Sequence, residues 1–188
     1  TTEIYTLSLH DALPISVSGE RLVALTPEVV LRLVKAGATI NVESGAGSSA
    51  HYSDAEYEKV GGTITSRESA LASDIVVKVQ PPSDDEIALL KQNGVYIGFL
   101  SPLDKPQVSA ALALRGTTAL SMEMVPRISR AQKMDALSAL SSIAGYRAVL
   151  EAATKLPKFF PPLTTAAGTV RPSNVLILGA GVAGLPAE

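Results

Sequence analysis

Apolar, strand-like runs alternate with helix-forming segments through most of the chain, and this alternation limits the possible folds more than any other feature. The clearest run, Asp74 to Val79, is typical of a parallel strand that is buried on both faces. Parallel strands must be joined by crossover connections, which are usually helices. The sequence therefore predicts an α/β fold: a doubly wound, Rossmann-like domain built on a parallel sheet.

Capping residues mark the helix starts in this alternation. Thr26 precedes a proline at the first helical position, while Ser53 with Glu56 and Ser83 with Glu86 match the capping-box pattern. The predicted helices end near residues 37, 59, 72, 92 and 115, and strands are predicted at 38–42, 63–65, 74–79, 95–99 and 117–122.

A second domain is expected after a long connection. A helix is predicted from Arg130 to about Lys155, and the prolines that follow cannot continue it, so the next segment is expected to be a semi-rigid crossing. A new strand is predicted at 174–178. The expected organisation is an N-terminal domain, a connecting helix and linker, and the truncated start of a dinucleotide-binding Rossmann domain, at 17–129, 130–173 and 174–188.

Both ends of the chain are unusual. Residues 1–16 lack a basic region followed by an apolar core, so they do not match a signal peptide. They resemble a translated sequencing adapter, and we expect a non-native leader. The chain ends a few residues into a predicted helix, which is expected of a fragment.

Composition excludes several classes of function. The formal net charge is −2 and no long basic run occurs, so the electrostatic footprint of a nucleic-acid-binding domain is absent. Without cysteine, and with only His10 and His51 as imidazoles, neither disulfides nor a zinc site are expected. No window reaches about 18 uninterrupted apolar residues, the length expected of a bilayer span.

The segment PRISRAQKMDALS at 126–138 is the first candidate site. Ser129 followed by Gln132 matches a capping box and places a helix start near Arg130. On that helix three polar residues would share one face: Gln132, Asp135 and Ser138. Arg127 would lie at the helix start, where free N–H groups and the helix dipole favour an anion. The alternative is a solvated helix face with ordinary surface ion pairs.

Gly179, Gly181 and Gly184 form the second candidate site. They follow the apolar segment 174–178 and give G-x-G-x-x-G between a predicted strand and a predicted helix. In this fingerprint the glycines permit a tight turn, close approach of a pyrophosphate, and close helix packing, respectively. The acidic residue that would contact the ribose lies beyond the end of the chain, so the residues do not decide between NAD and NADP.

Two similar patterns are predicted to be structural. Gly45, Gly47 and Ala50 imitate the fingerprint, but the next helix starts only at Ser53, so a tight turn is predicted there. The acidic run 84–86 occupies the first turn of a capped helix, where the helix dipole favours negative charge.

Residues 126–142 resemble the corresponding loop and helix of the proton-translocating NAD(P) transhydrogenases, in the NAD(H)-binding component of the alpha subunit. This group is related to the alanine dehydrogenases. Further segments agree with the same family in order: GERLVALTPEVV at 19–30, VESGAG at 42–47, DIVVKVQPP at 74–82 and TAAGTVRPSNVLILGAGVAGL at 165–185.

The resemblance implies roles for individual residues. The nicotinamide end of NAD(H) would contact five of them: Arg127, Ser129, Gln132, Asp135 and Ser138. Gln132 and Asp135 would be catalytic, with Gln132 orienting the nicotinamide and Arg127 fastening the loop to the partner's nucleotide site. The rest of the cofactor would lie on the glycine-rich segment at Gly179, Gly181, Val182 and Gly184.

The same resemblance implies hydride transfer between NADH and NADP+ coupled to proton translocation. NADP(H) would be held by a partner component, and the implied partners are the NADP(H)-binding and membrane components and a second copy of the chain. The implied location is a soluble domain at the cytoplasmic face of the inner (plasma) membrane. Little activity is expected from these 188 residues alone.

Two other functions remain open. An alanine dehydrogenase would carry arginine at position 22 and histidine near residue 100, where this sequence has Leu22 and Phe99-Leu100-Ser101. In those enzymes a lysine in the segment matching Lys78 binds the substrate carboxylate; the alternative is a lysine that extends from the strand end to water. The third possibility is a nucleotide-binding module without turnover of its own.

Overall fold

The computed structural model describes residues 6–10, for which only the backbone is considered, and residues 21–185. The chain divides into two compact units, Thr1–Met124 and Val125–Glu188.

The first unit contains a six-stranded, wholly parallel sheet. Its strands are β1 (Thr6–His10), β2 (Thr39–Glu43), β3 (Thr63–Thr65), β4 (Ile75–Lys78), β5 (Val95–Gly98) and β6 (Thr118–Ser121). They lie in the order β3-β2-β1-β4-β5-β6, so the chain winds outward in both directions from β1. This order is that of a doubly wound sheet, and the predicted fold class is confirmed.

The strand β1 is absent from the elements that the sequence predicts. It pairs with β2 on one side and β4 on the other, with Leu7 in register with Ile40 and Ile75. The interpretation of residues 1–16 as a non-native leader stays a prediction.

In the part of the first unit that the structure describes, the strands are connected by five α-helices: α1 (Pro27–Lys35), α2 (Asp54–Lys59), α3 (Arg67–Leu71), α4 (Asp84–Leu89) and α5 (Pro106–Leu114). The capping boxes predicted for α2 and α4 are both present. Helix α4 ends before the predicted Gln92, because Leu90 adopts an extended backbone (φ −59°, ψ 144°) and its side chain is buried in the core.

Two apolar clusters form the core of the first unit. One packs α3, α4 and α5 against β4 and β5, and the other packs α1 and α2 against β2. The two tyrosines in these clusters, Tyr57 and Tyr96, are fully buried and donate hydrogen bonds to the carbonyl groups of Leu25 and Gln80. Burial of one large apolar side chain contributes about 1.5–3 kcal/mol, so these clusters provide much of the stability.

Gly98 marks a close approach of two strands. A Cβ added to it would lie 2.2 Å from the carbonyl oxygen of Lys78 on β4, so a side chain requires the strands to move apart. We expect Gly98→Ala to lower the free energy of unfolding by about 1–3 kcal/mol, measured by urea denaturation. The matched control is Gly181→Ala, whose added Cβ meets nothing within 4 Å. Equal stability of the two variants would contradict the close approach.

The second unit begins with a 3₁₀ helix at Ser129–Met134, followed by the long helix α6 (Ala136–Lys155). The predicted single helix from Arg130 is therefore wrong at its start. Asp135 interrupts it, since its backbone (φ −79°, ψ 79°) is not helical.

An antiparallel hairpin follows α6 in the proline-rich segment, formed by β7 (Leu163–Thr165) and β8 (Gly168–Val170). The prolines of this segment predict only a semi-rigid crossing. Gly168 supplies the positive φ of +133° at the hairpin turn, and the Oγ1 atoms of Thr164 and Thr169 lie 3.3 Å apart across the two strands.

The strand predicted at 174–178 does not form. Its apolar residues are exposed, and within residues 21–185 no neighbouring strand pairs with them. A parallel strand is stabilised by its neighbours, so an apolar sequence without such a neighbour stays extended but unpaired. After the glycines, the described residues form a turn at 182–184, where the Leu185 N–H donates to the Gly181 carbonyl. The rest of the predicted helix lies outside the described residues.

Candidate functional site

The loop at 126–135 is built from backbone hydrogen bonds that fold it tightly. The N–H of Ile128 donates to the carbonyl oxygen of Pro126 at 2.9 Å, and the N–H of Ala131 donates to the carbonyl oxygen of Ile128 at 2.9 Å. The residue that precedes the 3₁₀ helix is Ile128, and no side chain caps it. The capping box predicted for Ser129 and Gln132 is therefore wrong. Arg127, Ser129 and Gln132 are exposed to solvent on this loop.

Asp135 is the actual cap of the long helix. Its Oδ1 accepts the backbone N–H of Ser138 at 2.9 Å, and its Oδ2 accepts the hydroxyl proton of Ser138 at 2.6 Å. A carboxylate at this position satisfies an N–H that the helix leaves unpaired and interacts favourably with the helix dipole. Two of the candidate polar residues are thus joined into one structural unit.

The charge of Asp135 is stabilised by its surroundings. The side-chain and backbone hydrogen bonds from Ser138, with a smaller contribution from the nearby Arg127 guanidinium, lower the pKa of Asp135 below its usual value. The carboxylate is therefore ionised at neutral pH and can only accept hydrogen bonds.

The structure brings together some of the predicted site residues. Asp135 and Ser138 are joined by hydrogen bonds, and Arg127 is near enough for its charge to lower the pKa of Asp135. Gln132 lies on the 3₁₀ helix that immediately precedes Asp135. The single polar face predicted for Gln132, Asp135 and Ser138 on one helix is wrong, because these residues lie on a 3₁₀ helix, at the cap and in the first turn of α6, respectively. The result is a cluster at the start of a helix and not a stripe along it.

The glycine-rich segment forms a turn, and the predicted strand before it is unpaired within the described residues. Gly179 has a φ of +109°, which favours glycine. A Cβ added to Gly184 would lie 1.9 Å from the Gly179 carbonyl oxygen, whereas one added to Gly181 meets nothing within 4 Å. The open side at Gly181, together with the exposed Val182, leaves the backbone accessible to a bulky group such as a pyrophosphate.

A contact between this turn and α6 goes beyond what the sequence predicts. Gly145 in α6 packs against the backbone of Ala183, and Ser142 lies within hydrogen-bond distance of the Val182 carbonyl. An isolated glycine inside a helical pattern often has a packing reason, and Gly145 is the one indication in the sequence.

Lys78 does not extend from the strand end to water, which is one of its two interpretations. Its Nζ lies 2.6 and 2.7 Å from the two carboxylate oxygens of Glu86, and its side chain is only 9% exposed. Arg67 donates to the same carboxylate at 2.6 Å. The ammonium group of Lys78 is thus paired with the Glu86 carboxylate, and its contact with a substrate carboxylate stays an untested interpretation.

Glu86 is the buried centre of this triad and not simply a first-turn carboxylate. Burial alone raises its pKa, but hydrogen bonds from Lys78 and Ser83 and the charges of Lys78 and Arg67 lower the pKa below its usual value. Burial, with a contribution from the Glu86 carboxylate, raises the pKa of Tyr96 well above its usual value. Asp84 and Asp85 are exposed in the first turn of α4, as expected for residues that interact with the dipole.

The tight turn predicted for the glycines at 45–47 is confirmed. The N–H of Gly45 and the hydroxyl of Ser44 both donate to the Asp54 carboxylate at 2.8 Å, and α2 begins only at Asp54.

The loop after β5 is held by a carboxylate. Oε1 of Glu123 accepts the backbone N–H groups of Leu100, at 2.8 Å, and of Ser101. This loop is where an alanine dehydrogenase is expected to carry a histidine, and here it is organised around a glutamate that binds the backbone.

Neither a metal cluster nor a membrane-spanning helix is found in residues 6–10 and 21–185. No three residues among histidine, aspartate and glutamate come together there as metal ligands. No helix in these ranges has the length and apolar character required to cross a membrane.

Comparison with known families decides which family the chain belongs to. A family model described as "Alanine dehydrogenase/PNT, N-terminal domain" matches residues 16–144, and one described as "Alanine dehydrogenase/PNT, C-terminal domain" matches 148–188. The chain belongs to the alanine dehydrogenase/PNT family. The match of the C-terminal model to 148–188 assigns the glycine-rich turn to the second domain of this family.

Among its relatives, the alanine dehydrogenase/PNT chain is 46% identical over 171 residues to "NAD(P) transhydrogenase subunit alpha" of Cereibacter sphaeroides, covering 90% of this chain and 33% of the relative. It is 42% identical over 168 residues to "NAD(P) transhydrogenase subunit alpha" of Haemophilus influenzae, covering 89% and 33%. The chain thus spans about a third of the length of these curated relatives.

Solved structures agree with this assignment. The crystal structure of transhydrogenase from Sinorhizobium meliloti superposes with a TM-score of 0.91 at 37% identity, covering 97% of this chain and 54% of that chain. An L-alanine dehydrogenase structure gives a TM-score of 0.81 at 28% identity, covering 97% and 50%. Within the family, the likeness is therefore greater to the transhydrogenase structure.

Proposed function

We propose that this chain is the NAD(H)-binding part of a proton-translocating NAD(P) transhydrogenase. The observation that carries the proposal is the hydrogen-bonded Asp135–Ser138 cap, which follows the exposed Gln132, in a chain similar to transhydrogenase alpha subunits. The greater identity to those subunits than to alanine dehydrogenases favours this function over amino-acid oxidation.

The residues present fit NAD(H). Gly181, with open space beside it, and the neighbouring Gly179, Val182 and Gly184 would hold the pyrophosphate. The nicotinamide end would contact the loop and helix start through five side chains: Arg127, Ser129, Gln132, Asp135 and Ser138. When bound, the reduced cofactor supplies a hydride, so that NADH becomes NAD+ and NADP+ on a partner component becomes NADPH.

The donors and acceptors of the loop support the role proposed for each side chain. Asp135 is ionised and accepts hydrogen bonds only, so it suits the N–H groups of a carboxamide. The hydroxyl of Ser138 donates a hydrogen bond to Asp135, which leaves the oxygen of that hydroxyl group as an acceptor. The exposed amide of Gln132 can donate and accept, as required of a group that orients a ring and its ribose.

The remaining features of the proposal concern the assembly. NADP(H) would be bound by a second component, with proton movement through a membrane component, and the chain would act as a homodimer at the cytoplasmic face of the inner membrane. The proposed domain boundaries are 17–129, 130–173 and 174–188. The 188-residue chain alone would transfer hydride poorly.

The test is NADH titration of the full-length gene product, followed by NADPH formation after addition of NADP+ and the membrane and NADP(H)-binding components. We expect NADH binding and NADPH production, and no alanine-dependent reduction of NAD+. NADH binding without NADPH formation under these conditions would support the nucleotide-binding module, and alanine-dependent NADH production would support the dehydrogenase.

Gly181→Ala provides a local test of the cofactor site. The added methyl group meets no protein atom within 4 Å, so the free energy of unfolding should be unchanged. A pyrophosphate that approaches the backbone there would meet this methyl group, and we expect the Kd for NADH to rise about tenfold. Fluorescence titration and thermal unfolding measure the two effects. An unchanged Kd would contradict pyrophosphate binding at this turn.

A further inference from the structure

The glycine-rich turn is in direct backbone contact with helix α6. Gly145 lies near the middle of α6 and is buried. A Cβ added to Gly145 would lie 1.9 Å from the carbonyl oxygen of Ala183, 2.9 Å from its carbonyl carbon and 3.2 Å from its Cα. The obstructing atoms are all backbone, so no side-chain rotation can relieve the collision.

A hydrogen bond accompanies this contact. The Oγ of Ser142, one turn before Gly145, lies 3.2 Å from the carbonyl oxygen of Val182 and 3.1 Å from that of Ser138. Ser142 can therefore donate to the turn directly. Its single hydroxyl proton is shared between the Val182 carbonyl and that of Ser138, the residue whose N–H and hydroxyl complete the Asp135 cap.

Helix α6 thus joins the two parts of the candidate site: the Asp135–Ser138 cap lies at its start, and the glycine-rich turn contacts it at Gly145. Its start is fixed by Asp135 and Ser138, and Gly145 lies seven residues beyond Ser138, a rise of about 10 Å along the axis. A helix is stiff over this length. The position of the turn relative to the cap is then set by how closely the turn can approach α6.

We propose that Gly145 and Ser142 are positioning residues for NAD(H), which seat the glycine-rich turn on α6 at a fixed distance from the Asp135–Ser138 cap. The inference rests on the proposed function, since it names the residues that keep the pyrophosphate-binding turn at a fixed distance from the nicotinamide-binding cap. Neither residue needs to touch the cofactor. Their effect is to place the groups that do.

The effect of Gly145→Ala on the glycine-rich turn distinguishes this role from that of a glycine with no packing function. Glycine is a poor helix former and alanine the best, so Gly145→Ala in a helix without the contact would strengthen α6 and leave the turn unchanged. If the turn is seated on Gly145, the same substitution displaces the turn, although the helix itself is retained.

The experiment uses the full-length gene product and two kinds of measurement. The amide hydrogen exchange rate of Leu185 in the ligand-free protein measures how well the turn is formed, because the Leu185 N–H donates to the Gly181 carbonyl at 3.0 Å. Titration with NADH, and with ADP-ribose, which has the pyrophosphate but no nicotinamide, reports binding. Ala153→Ser is the matched control, since it adds one heavy atom at an exposed position of the same helix.

For Gly145→Ala we expect exchange at Leu185 to be about tenfold faster and the Kd for both ligands to rise about tenfold, with unchanged helical circular dichroism. For Ser142→Ala we expect a rise of about threefold in both Kd values, and Ser142→Thr, which keeps the hydroxyl, should restore them. The control should resemble the wild type in every measurement.

Normal exchange at Leu185 in Gly145→Ala would overturn the inference, whatever happens to binding. Failure of Ser142→Thr to restore binding would remove Ser142 from the proposal. A wild-type protein that binds neither ligand would instead contradict the proposed function, while the exchange measurement would still test the contact between the turn and α6.

Discussion

Glu86→Gln is expected to lower the free energy of unfolding by about 3–5 kcal/mol, the range observed when one partner of a buried ion pair is removed. Glu86 is 2% exposed, and its carboxylate accepts hydrogen bonds from Lys78 and Arg67. The neutral amide of glutamine cannot compensate the positive charge of the buried Lys78 ammonium group. Its NH₂ group is a hydrogen-bond donor and would face the donor groups of Lys78 and Arg67. The backbone N–H of Ser83, which donates to Glu86 at 2.7 Å, also loses a charged acceptor.

Urea denaturation measures this effect, with Asp85→Asn as the control. Asp85 is the preceding residue in the same first turn of α4 but is exposed, so its neutralisation should change stability little. Replacing the two buried charges, in Lys78→Met with Glu86→Leu, should recover most of the loss, because the remaining charge, on Arg67, belongs to a side chain that is 26% exposed and can be solvated. A Glu86→Gln variant as stable as Asp85→Asn would show that the triad is not a stabilising network.

Local patterns predict much of the first unit. The Ser53–Glu56 and Ser83–Glu86 capping boxes involve residues only three apart, and both are present in the structure. The parallel sheet follows from apolar strands joined by helices, since the same alternation leaves few alternatives. Structural features that depend on residues close together in the sequence are therefore predictable.

The same local reasoning fails where two signals compete. Ser129 with Gln132 and Asp135 with Ser138 lie in one loop, and only the second pair caps a helix. A carboxylate that accepts two hydrogen bonds from Ser138 is a stronger cap than a serine hydroxyl, and the non-helical backbone of Asp135 prevents a continuous helix.

Contacts between distant residues cannot be inferred from spacing. Spacing alone makes Glu86 a first-turn acid, because the burial of its carboxylate depends on Lys78 in a strand and Arg67 in another helix. The segment 174–178 has strand-forming residues, but a strand also requires a hydrogen-bonding neighbour. The contact of Gly145 with Ala183 joins residues 38 positions apart, and only an isolated helical glycine suggests it.

The position of the helix start changes what is expected of Gln132. On a continuous helix its amide would be fixed by the same turns as Asp135, but on the preceding 3₁₀ helix it is exposed and separated from α6 by the Asp135 cap. Its side chain can therefore orient a ligand without contributing to the fold. An amide in this position is suited to alignment of the reacting groups more than to binding strength.

Gln132→Asn is accordingly expected to slow hydride transfer from NADH to NADP+ about 100-fold, since it withdraws the amide by one methylene and misplacement of about 1 Å can have this effect. The Kd for NADH should change by no more than about threefold, because the glycine-rich turn and the Asp135–Ser138 cap are intact. Stopped-flow transfer with the NADP(H)-binding component and NADH fluorescence measure the two quantities.

The matched control is Gln92→Asn, the same chemical change at an exposed position in the first unit, which should leave both quantities unaltered. If Gln132→Asn weakened binding as much as it slowed transfer, Gln132 would contribute to binding in the ground state and transition state alike. If neither quantity changed, the amide would not contact the nicotinamide end at all. Only a selective loss of rate is consistent with Gln132 as the residue that orients the ring for transfer.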